Sequence, residues 1–282
     1  MADGRIVECD GDHEPDLFWA LRGAGGGQFG VVTSLRFDTV DEPIASHIEA
    51  VWSAVAPGDV MSAWQEWAPD APAGITANLS VVAEPGEPTT IALMGASLLG
   101  HAVTRDVLEE FSAAAGVARV NDIHPAESYS RLKSTLAAHQ DPREDDAVGL
   151  CIRSESFSRL MRPNTIESLL AELTDGTSTA RRQLNFTAMG GAYNRVAESA
   201  TAFAHRDERF LLEHIEPMAG SGWVDRSWKI AHADGSGRVY PNFPDPQLDD
   251  WPRAYHGGNF TRLATVKNDY DPDRLFDFPQ SL

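Results

Sequence analysis

A glycine-rich loop is the first stretch of the sequence that could do chemistry. Five glycines occur in the eight residues 23–30, and Gly25, Gly27 and Gly30 have the G-x-G-x-x-G spacing. In a dinucleotide-binding turn that motif follows a strand and opens a helix. Here the order is reversed, because a predicted short helix precedes the loop and residues 31–37 alternate like a strand. The loop is therefore either bare main chain that binds an anion or a plain connector.

Two pairs of polar side chains lie two residues apart in segments predicted to be extended. Tyr240 and Asn242 occur in "VYPNFPD", and Asn185 and Thr187 occur in a predicted strand before Gly190. Side chains two residues apart on an extended chain face the same way, so each pair could contact one polar ligand. Exposure to solvent is the alternative explanation for both pairs.

Histidine and cysteine form no pattern that is typical of a metal site or a nucleophile. The sequence lacks H-x-H, H-E-x-x-H, C-x-x-C and G-x-S-x-G spacings, so we predict no metal site. His205 is interpreted as a structural histidine, and Cys9 and Cys151 as small hydrophobic residues. The acidic stretch at residues 139–147 is interpreted as a solvated loop.

Composition limits the classes of partner. The 282 residues carry a formal net charge of −19, which disfavours nucleic acid and anionic membranes. There is no apolar run long enough to span a bilayer and no secretory signal pattern. Two cysteines cannot form a disulfide framework, so the sequence predicts a cytoplasmic protein without a membrane segment.

Predicted strands and helices alternate through the middle of the chain and would position these groups. The short turn "PGEP" and the other brief connections favour antiparallel pairing, so we predict an α+β fold with an antiparallel sheet covered by helices. Asn164 with Glu167 predicts a capping box at one helix start. The helix at residues 103–116 is expected to bury Val103, and Pro272 to open a last short helix.

Four segments, in order, resemble a known family. They are "ADGRIVECDGDHEPDLFWALRGAGGGQFGVVTSLRF", "MGGAYNRVAESATAFAHRD", "YPNFPD" and "YHGGNFTRLATVKNDYDPDRLFDFPQSL". From residue 2 to its end, the chain resembles the C-terminal portion of the berberine-bridge-enzyme-like FAD-linked oxidoreductases, whose FAD-binding domain is of the PCMH and vanillyl-alcohol-oxidase type. The resemblance implies the end of that domain at residues 1–45, a substrate-binding α+β domain at 46–235 and a return to the FAD-binding domain at 236–282.

The resemblance also implies roles for particular residues. FAD is expected to contact the glycine loop with its ADP part and the two tail motifs with its isoalloxazine and ribityl region. Tyr240 is the candidate catalytic residue, and Asn185 and Thr187 are candidate substrate contacts, in an oxidation that passes hydride from a small organic substrate to flavin N5. The residues expected to bind the cofactor are Gly26, Gly27, Phe29, Gly30, Val31, Tyr240, Asn242 and Asn259.

The sequence departs from the family pattern at two points. The N-terminal FAD subdomain with its flavin-tethering histidine is expected to be missing, and His13 and Cys9 lie in the wrong motif to replace it. Phe243 stands where several oxidases have a second tyrosine that takes the substrate proton, and a phenyl ring cannot do so. Two functions follow as expectations. One is the substrate-binding half of an FAD-dependent oxidoreductase, to which a separate chain could supply the missing subdomain. The other is a flavin-free module that binds a small molecule or partner and could form a homodimer.

Overall fold

The chain forms two compact units in a computed structural model that describes residues 1–120, 122–138, 149–175, 179–218 and 222–282. One unit comprises residues 40–192 and 208–236, and the other comprises residues 1–39, 193–207 and 237–282. The contacts group residues 193–207 with the two ends of the chain, and the three-part domain division stays a prediction. The acidic stretch at 139–147 lies outside the described residues.

The larger unit is built on an antiparallel sheet, to which the described residues contribute eight strands. The strand order is β4-β1-β3-β2-β7-β8-β6, and β5 pairs with β1 beyond this path. The strands are β1 Ile44–Trp52, β2 Ile75–Ala83, β3 Thr90–Ser97, β4 Asp122–Ile123, β5 Glu127–Ser128, β6 Leu150–Phe157, β7 Arg182–Ala188 and β8 Phe210–Pro217.

Helices cover one face of this sheet, and the hydrophobic core lies between them. Trp64 is fully buried, packs against the rings of Phe186 and Phe210, and donates its indole N–H to the carbonyl of Ala77 at 3.0 Å. The helices that cover this core are α2 Pro57–Trp67, α3 His101–Ala115, α5 Pro163–Leu173 and α6 Trp223–His232, while α4 Tyr129–Ala138 packs against β1 and β5. The predicted α+β class with an antiparallel sheet is confirmed.

Strand alternation fixes which side chains leave the core. In β7, Leu184 and Phe186 are buried against the helices, so Gln183, Asn185 and Thr187 lie on the opposite face. A shift of one residue would exchange the two sets, and burial of the apolar set therefore specifies the register.

Two helix details differ from the sequence prediction. Val103 is 52% exposed on the outer surface of α3, so its predicted burial is wrong. The predicted capping box is also wrong, because α5 begins at Pro163 and no side chain caps it. Asn164 therefore lies inside the first turn, beyond the position from which it could cap. Proline suits that first position since its φ is already helical and it has no N–H to satisfy.

The second unit contains three short helices packed around a small core. They are α1 Pro15–Leu21, α7 Trp251–His256 and α8 Phe260–Tyr270, and the core includes Leu17, Trp19, Phe29, Leu263 and Val266. The predicted strands at residues 5–9 and 31–37 and the predicted helix from Pro272 are not formed. Residues 31–42 are instead exposed and irregular, because a lone strand has no partner for its N–H and C=O groups.

No helix among the described ranges has both the length and the apolar character needed to cross a bilayer.

Candidate functional site

A cavity of about 360 Å³ opens within the unit formed by the two ends of the chain. Its wall combines main chain with neutral polar and aromatic side chains. Among the described residues that line it there is no lysine or arginine. The residues used in the argument below are Gly25, Gly26, Gln28, Asn242, Tyr255 and His256.

The glycine loop borders this cavity and is anchored from beneath by a buried lysine. Lys267 is 1% exposed, and its ammonium donates to the carbonyl of Gln28 at 2.6 Å, the carbonyl of Phe276 at 2.7 Å and the carboxylate of Asp271 at 2.7 Å. Burial alone would raise the pKa of Asp271, but hydrogen bonds from Lys267 and nearby main-chain N–H groups outweigh it and hold this pKa below its usual value. Lys267 therefore fixes the position of the glycine loop at the carbonyl of Gln28.

Gly25 and Gly26 shape the part of the loop that lines the cavity. Gly25 has a φ of +83°, which other residues rarely adopt, and its Cα faces Pro241. A Cβ added at Gly26 would meet nothing within 4 Å, so this position opens onto free space. The main chain at Gly26 is therefore accessible to a ligand without an intervening side chain.

A hydrogen-bonded group fixes the polar wall of the cavity. The Tyr255 hydroxyl accepts the N–H of Asp245 at 2.7 Å and donates to the Gln280 side-chain oxygen at 3.0 Å, while the Gln280 amide donates back to the Asp245 carbonyl at 2.7 Å. The Gln28 side chain accepts the N–H of Leu282 at 3.0 Å. These contacts tie the end of the chain to the glycine loop.

His256 contributes an imidazole to the same wall. It is 1% exposed, and burial lowers its pKa from 6.5 to about 4, so the ring is neutral near pH 7. Its ring lies nearly parallel to Phe260, with centroids 6.2 Å apart. Neither ring nitrogen hydrogen-bonds to a described residue. A neutral imidazole offers one donor and one acceptor, and both nitrogens of His256 are closed to solvent.

The predicted cofactor residues are distributed unevenly around the cavity. Gly26 and Asn242 line it. The amide of Asn242 donates to the Tyr240 hydroxyl at 2.7 Å, so this predicted pair is brought together, although Tyr240 does not line the cavity. Phe243 packs its ring edge-on against Tyr240, with centroids 5.2 Å apart.

The other predicted cofactor residues lie away from the cavity wall. Phe29 is buried in the core, and Val31 is 76% exposed. A Cβ at Gly27 would stand against Phe278, and one at Gly30 against Met1.

Asn259, the last of them, is engaged with main chain. It is 7% exposed, and its amide donates to the carbonyls of Glu198 at 3.0 Å and Thr201 at 3.2 Å. Asn259 therefore holds the segment after residue 197 in place.

The predicted substrate pair lies in the other unit, on the sheet face opposite the helices. The Asn185 amide donates to the carboxylate of Glu213 at 2.7 Å, and Gln183 donates to the Ser80 hydroxyl at 2.8 Å. Burial raises the pKa of Glu213, partly offset by the hydrogen bond from Asn185.

Sequence analysis missed Glu213, Gln280 and His256. The alternation of β8 indicates that Glu213 faces away from Phe210 and Leu212, but its pairing with Asn185 depends on a strand contact that the sequence does not display.

The cavity wall carries groups that suit a phosphate-bearing ligand. Gly26 presents main chain to open space, and Gln28 and Asn242 supply neutral polar groups beside it. Neutral donors and main-chain N–H groups can hold phosphate oxygens without a cationic side chain.

Known proteins resemble this chain in sequence and in fold. The family model "Berberine and berberine like" matches residues 239–282, which contain much of the cavity wall. An uncharacterized FAD-linked oxidoreductase, YgaK, of Bacillus subtilis is 29% identical over the whole chain, and the chitooligosaccharide oxidase of Gibberella zeae is 26% identical. The chain spans 61% of the length of each of these two relatives.

Solved structures share the fold. A berberine bridge enzyme variant described as a reticuline dehydrogenase superposes with a TM-score of 0.85 at 19% identity, covering 99% of this chain and 63% of its own. The enzyme from Eschscholzia californica gives a TM-score of 0.81 at 18% identity, covering 94% of this chain and 60% of its own. At such identities the likeness establishes the fold. Taken with the matching family model and the FAD-linked relatives, the fold shows that the chain corresponds to a C-terminal portion of the berberine-bridge-enzyme-like FAD-linked oxidoreductases.

Proposed function

We propose that the chain is the substrate-binding portion of an FAD-dependent enzyme that oxidises a small hydroxylated molecule. FAD, when bound, supplies the hydride acceptor at flavin N5. The observation that carries the proposal is the cavity in the segment that the family model matches, where Gly26 presents bare main chain beside neutral polar groups. Gln28 and Asn242 are the side chains proposed to hold the cofactor there.

The proton of the substrate hydroxyl needs an acceptor. Phe243 cannot take it, which leaves Tyr240, whose hydroxyl oxygen accepts the Asn242 amide, and the carboxylate of Glu213 as candidates. Glu213 is a carboxylate whose pKa is raised by burial, so it is a stronger base than an exposed glutamate. We assign the proton to Glu213, which Asn185 orients through the 2.7 Å hydrogen bond.

The substrate class follows from the chemistry of the open sheet face. Gln183, Asn185 and Thr187 place two amides and a hydroxyl in one row of β7, and Ser80 lies beside them. Such groups match a molecule with several hydroxyls, and relatives include a chitooligosaccharide oxidase and a carbohydrate oxidase. A carbohydrate-like alcohol is therefore the proposed substrate, with Thr187 among its contacts.

The exposed segment at residues 31–42 supports a partner for this chain. Val31, Leu35, Phe37 and Val40 are each 70% exposed or more. Apolar surface of this kind is commonly covered by another protein surface. We propose that the remaining portion of the oxidoreductase covers it, either as part of a longer chain or as a separate one.

The test uses flavin binding and a variant that fills the cavity. Gly26→Leu adds a side chain where the space is open and φ is ordinary, and Gly11→Leu makes the same change at another open glycine of the same unit. We expect the 282-residue chain, alone or co-expressed with the N-terminal portion of YgaK, to retain absorbance in the visible flavin bands after desalting. Gly26→Leu should weaken FAD binding at least tenfold, and Gly11→Leu should leave it unchanged.

Loss of flavin from both wild-type preparations would overturn the proposal. Equal binding by both glycine variants would place the cofactor elsewhere and remove the cavity as its site. A folded chain that binds carbohydrate but no flavin would favour the second function, a flavin-free binding module.

A further inference from the structure

Three side chains of metal-binding type meet at the edge of the sheet, apart from the cavity and the Asn185–Glu213 pair. His47, Glu49 and His124 each offer one ligand atom, and these atoms all lie within 4.8 Å of one another. Strand β1, which carries two of them, is three strands from β7. The cluster is therefore a separate feature of the same unit.

The strand pairing brings these residues together. His47 and Glu49 are two residues apart on β1 and so project from the same face. Strand β4 pairs antiparallel with β1 through Ile48 and Ile123, which sets His124 opposite His47. The main-chain N–H of His124 donates to the carbonyl of His47 at 2.9 Å. The backbone thus fixes the positions from which the ligands project.

The three ligand atoms must move a short distance toward one another to bind a metal ion. The two imidazoles are nearly parallel, at 12°, with centroids 5.1 Å apart. Metal–nitrogen bonds of about 2.0–2.1 Å in a tetrahedron place ligand atoms roughly 3.3 Å apart, so ligand atoms that lie within 4.8 Å of one another must approach by at most about 1.5 Å. His124 is exposed and can rotate, while His47 is buried at 1% exposure and stays fixed.

The ligand types select a class of metal. Two imidazoles and one carboxylate suit zinc and neighbouring transition metals, whereas Mg²⁺ and Ca²⁺ prefer sites made wholly of oxygen. The carboxylate of Asp122, which is opposite Glu49 in the β1–β4 pairing, adds negative charge nearby. Three protein ligands leave one position for water, as in an open zinc site.

We propose that His47, Glu49 and His124 bind one divalent transition-metal ion, with Zn²⁺ the best match. Strand β4 is two residues long, and its ladder with β1 contains two residue pairs. A metal bridge from His124 to β1 would hold this short strand in the sheet. The prediction of no metal site rested on the lack of H-x-H, H-E-x-x-H and C-x-x-C spacings. None of these patterns includes an H-x-E pair on a strand.

The experiment is a calorimetric titration of the untagged 282-residue chain with ZnCl₂. A background of 150 mM NaCl and excess MgCl₂ suppresses weak binding to the acidic surface. We expect one Zn²⁺ per wild-type chain, binding at least tenfold weaker in His124→Ala and in Glu49→Gln, and a Zn²⁺-dependent rise in Tm in the wild type alone. His101→Ala removes another exposed histidine of the same unit and should bind like the wild type.

Two results would overturn the proposal. One is the lack of saturable binding by the wild type up to 100 µM Zn²⁺, about the weakest affinity that a three-ligand site would show. The other is unchanged affinity in His124→Ala, whose exposed side chain can be removed without opening the core. Circular dichroism of each variant establishes that the fold is retained, and His124→Ala suffices if Glu49→Gln does not fold.

Discussion

Glu213 illustrates how position converts an ordinary carboxylate into a candidate base. It lies on β8 among side chains that face away from the helices, and burial raises its pKa. A base works only when it is deprotonated, so oxidation should fall as pH drops through this raised pKa, at a higher pH than an exposed glutamate would give.

Glu213→Gln tests this role in the flavin-loaded enzyme, assembled with the N-terminal portion. Glutamine can still accept the hydrogen bond from Asn185 but cannot take a proton. We expect kcat/KM to fall by about 10²–10⁴ and its acid limb to disappear from the pH profile. Tyr240→Phe provides the comparison, since Tyr240 is the sequence-predicted catalytic residue. If Tyr240→Phe abolishes turnover and Glu213→Gln leaves the acid limb in place, the base is Tyr240.

Lys267 is the second residue whose surroundings give it a specific task. It is buried with Asp271 and donates to two main-chain carbonyls, one of them in the glycine loop. Removing one partner of a buried ion pair leaves the other charge without compensation.

Lys267→Met should lower the free energy of unfolding by about 3–5 kcal/mol, measured by urea denaturation. Arg262→Met is the matched control on the same helix, because Arg262 pairs with the exposed Asp16. Exposed pairs contribute about 1 kcal/mol or less. Equal losses in the two variants would show that Lys267 does not anchor the loop.

At the scale of elements, the chain that leaves β7 closely approaches the short helical turn at Ala68–Asp70 that follows α2. Gly190, after β7, lies against Pro69, and a Cβ there would be 1.8 Å from the Pro69 carbonyl oxygen. The close approach of the Pro69 main chain therefore leaves no room for a side chain at position 190. Gly191 has a φ of +81° with nothing within 4 Å of its Cβ position.

Gly190→Ala should therefore destabilise the larger unit more than Gly191→Ala does. The first substitution forces main chain apart, at a cost of about 1–3 kcal/mol or more. The second introduces only an unfavourable φ, at about 1 kcal/mol. Thermal unfolding of the two variants side by side measures the difference, and a larger loss in Gly191→Ala would contradict the close contact.

Elements with a clear periodic pattern could be predicted from the sequence, and those that depend on a partner could not. Strands β2 and β3 and helix α2 follow from their apolar spacing and their turns. Residues 31–37 have the same alternation as a strand, yet they form none, because a strand also needs a neighbour to receive its hydrogen bonds. Local pattern sets the preference, and pairing decides the outcome.

The candidate sites divide along the same line. Gly26 and Asn242 could be proposed from the sequence because each lies in a local motif that the resemblance assigns to the cofactor. Glu213, His256 and Gln280 were missed because each acquires its surroundings from chain distant in sequence. The Gln280 amide, for example, bonds the carbonyl of Asp245, which is 35 residues away. Such contacts leave no periodic trace in a single sequence.

At the scale of the whole molecule, buried histidines link stability to pH. Burial lowers the pKa of His205 and His214 to about 3 and that of His256 to about 4, and nearby Arg238 and Arg153 add to the effect at His205 and His214 respectively. Histidines in the unfolded chain keep a pKa near 6.5. Below that pH these histidines bind protons in the unfolded chain but not in the folded chain. The free energy of unfolding therefore falls as the pH drops from about 6.5 toward 4.

The loss is large enough to measure well before most carboxylates titrate. Each of these histidines should lower the free energy of unfolding at pH 5 by about 2 kcal/mol relative to pH 7. His214→Gln removes one of the three, with a residue that can still hydrogen-bond to Ser227. Urea denaturation between pH 5 and 6.5 should then show a dependence shallower by as much as one proton, about 1.4 kcal/mol per pH unit. If His214→Gln keeps the wild-type slope, His214 takes up its proton in the folded protein, and the acid sensitivity has another source.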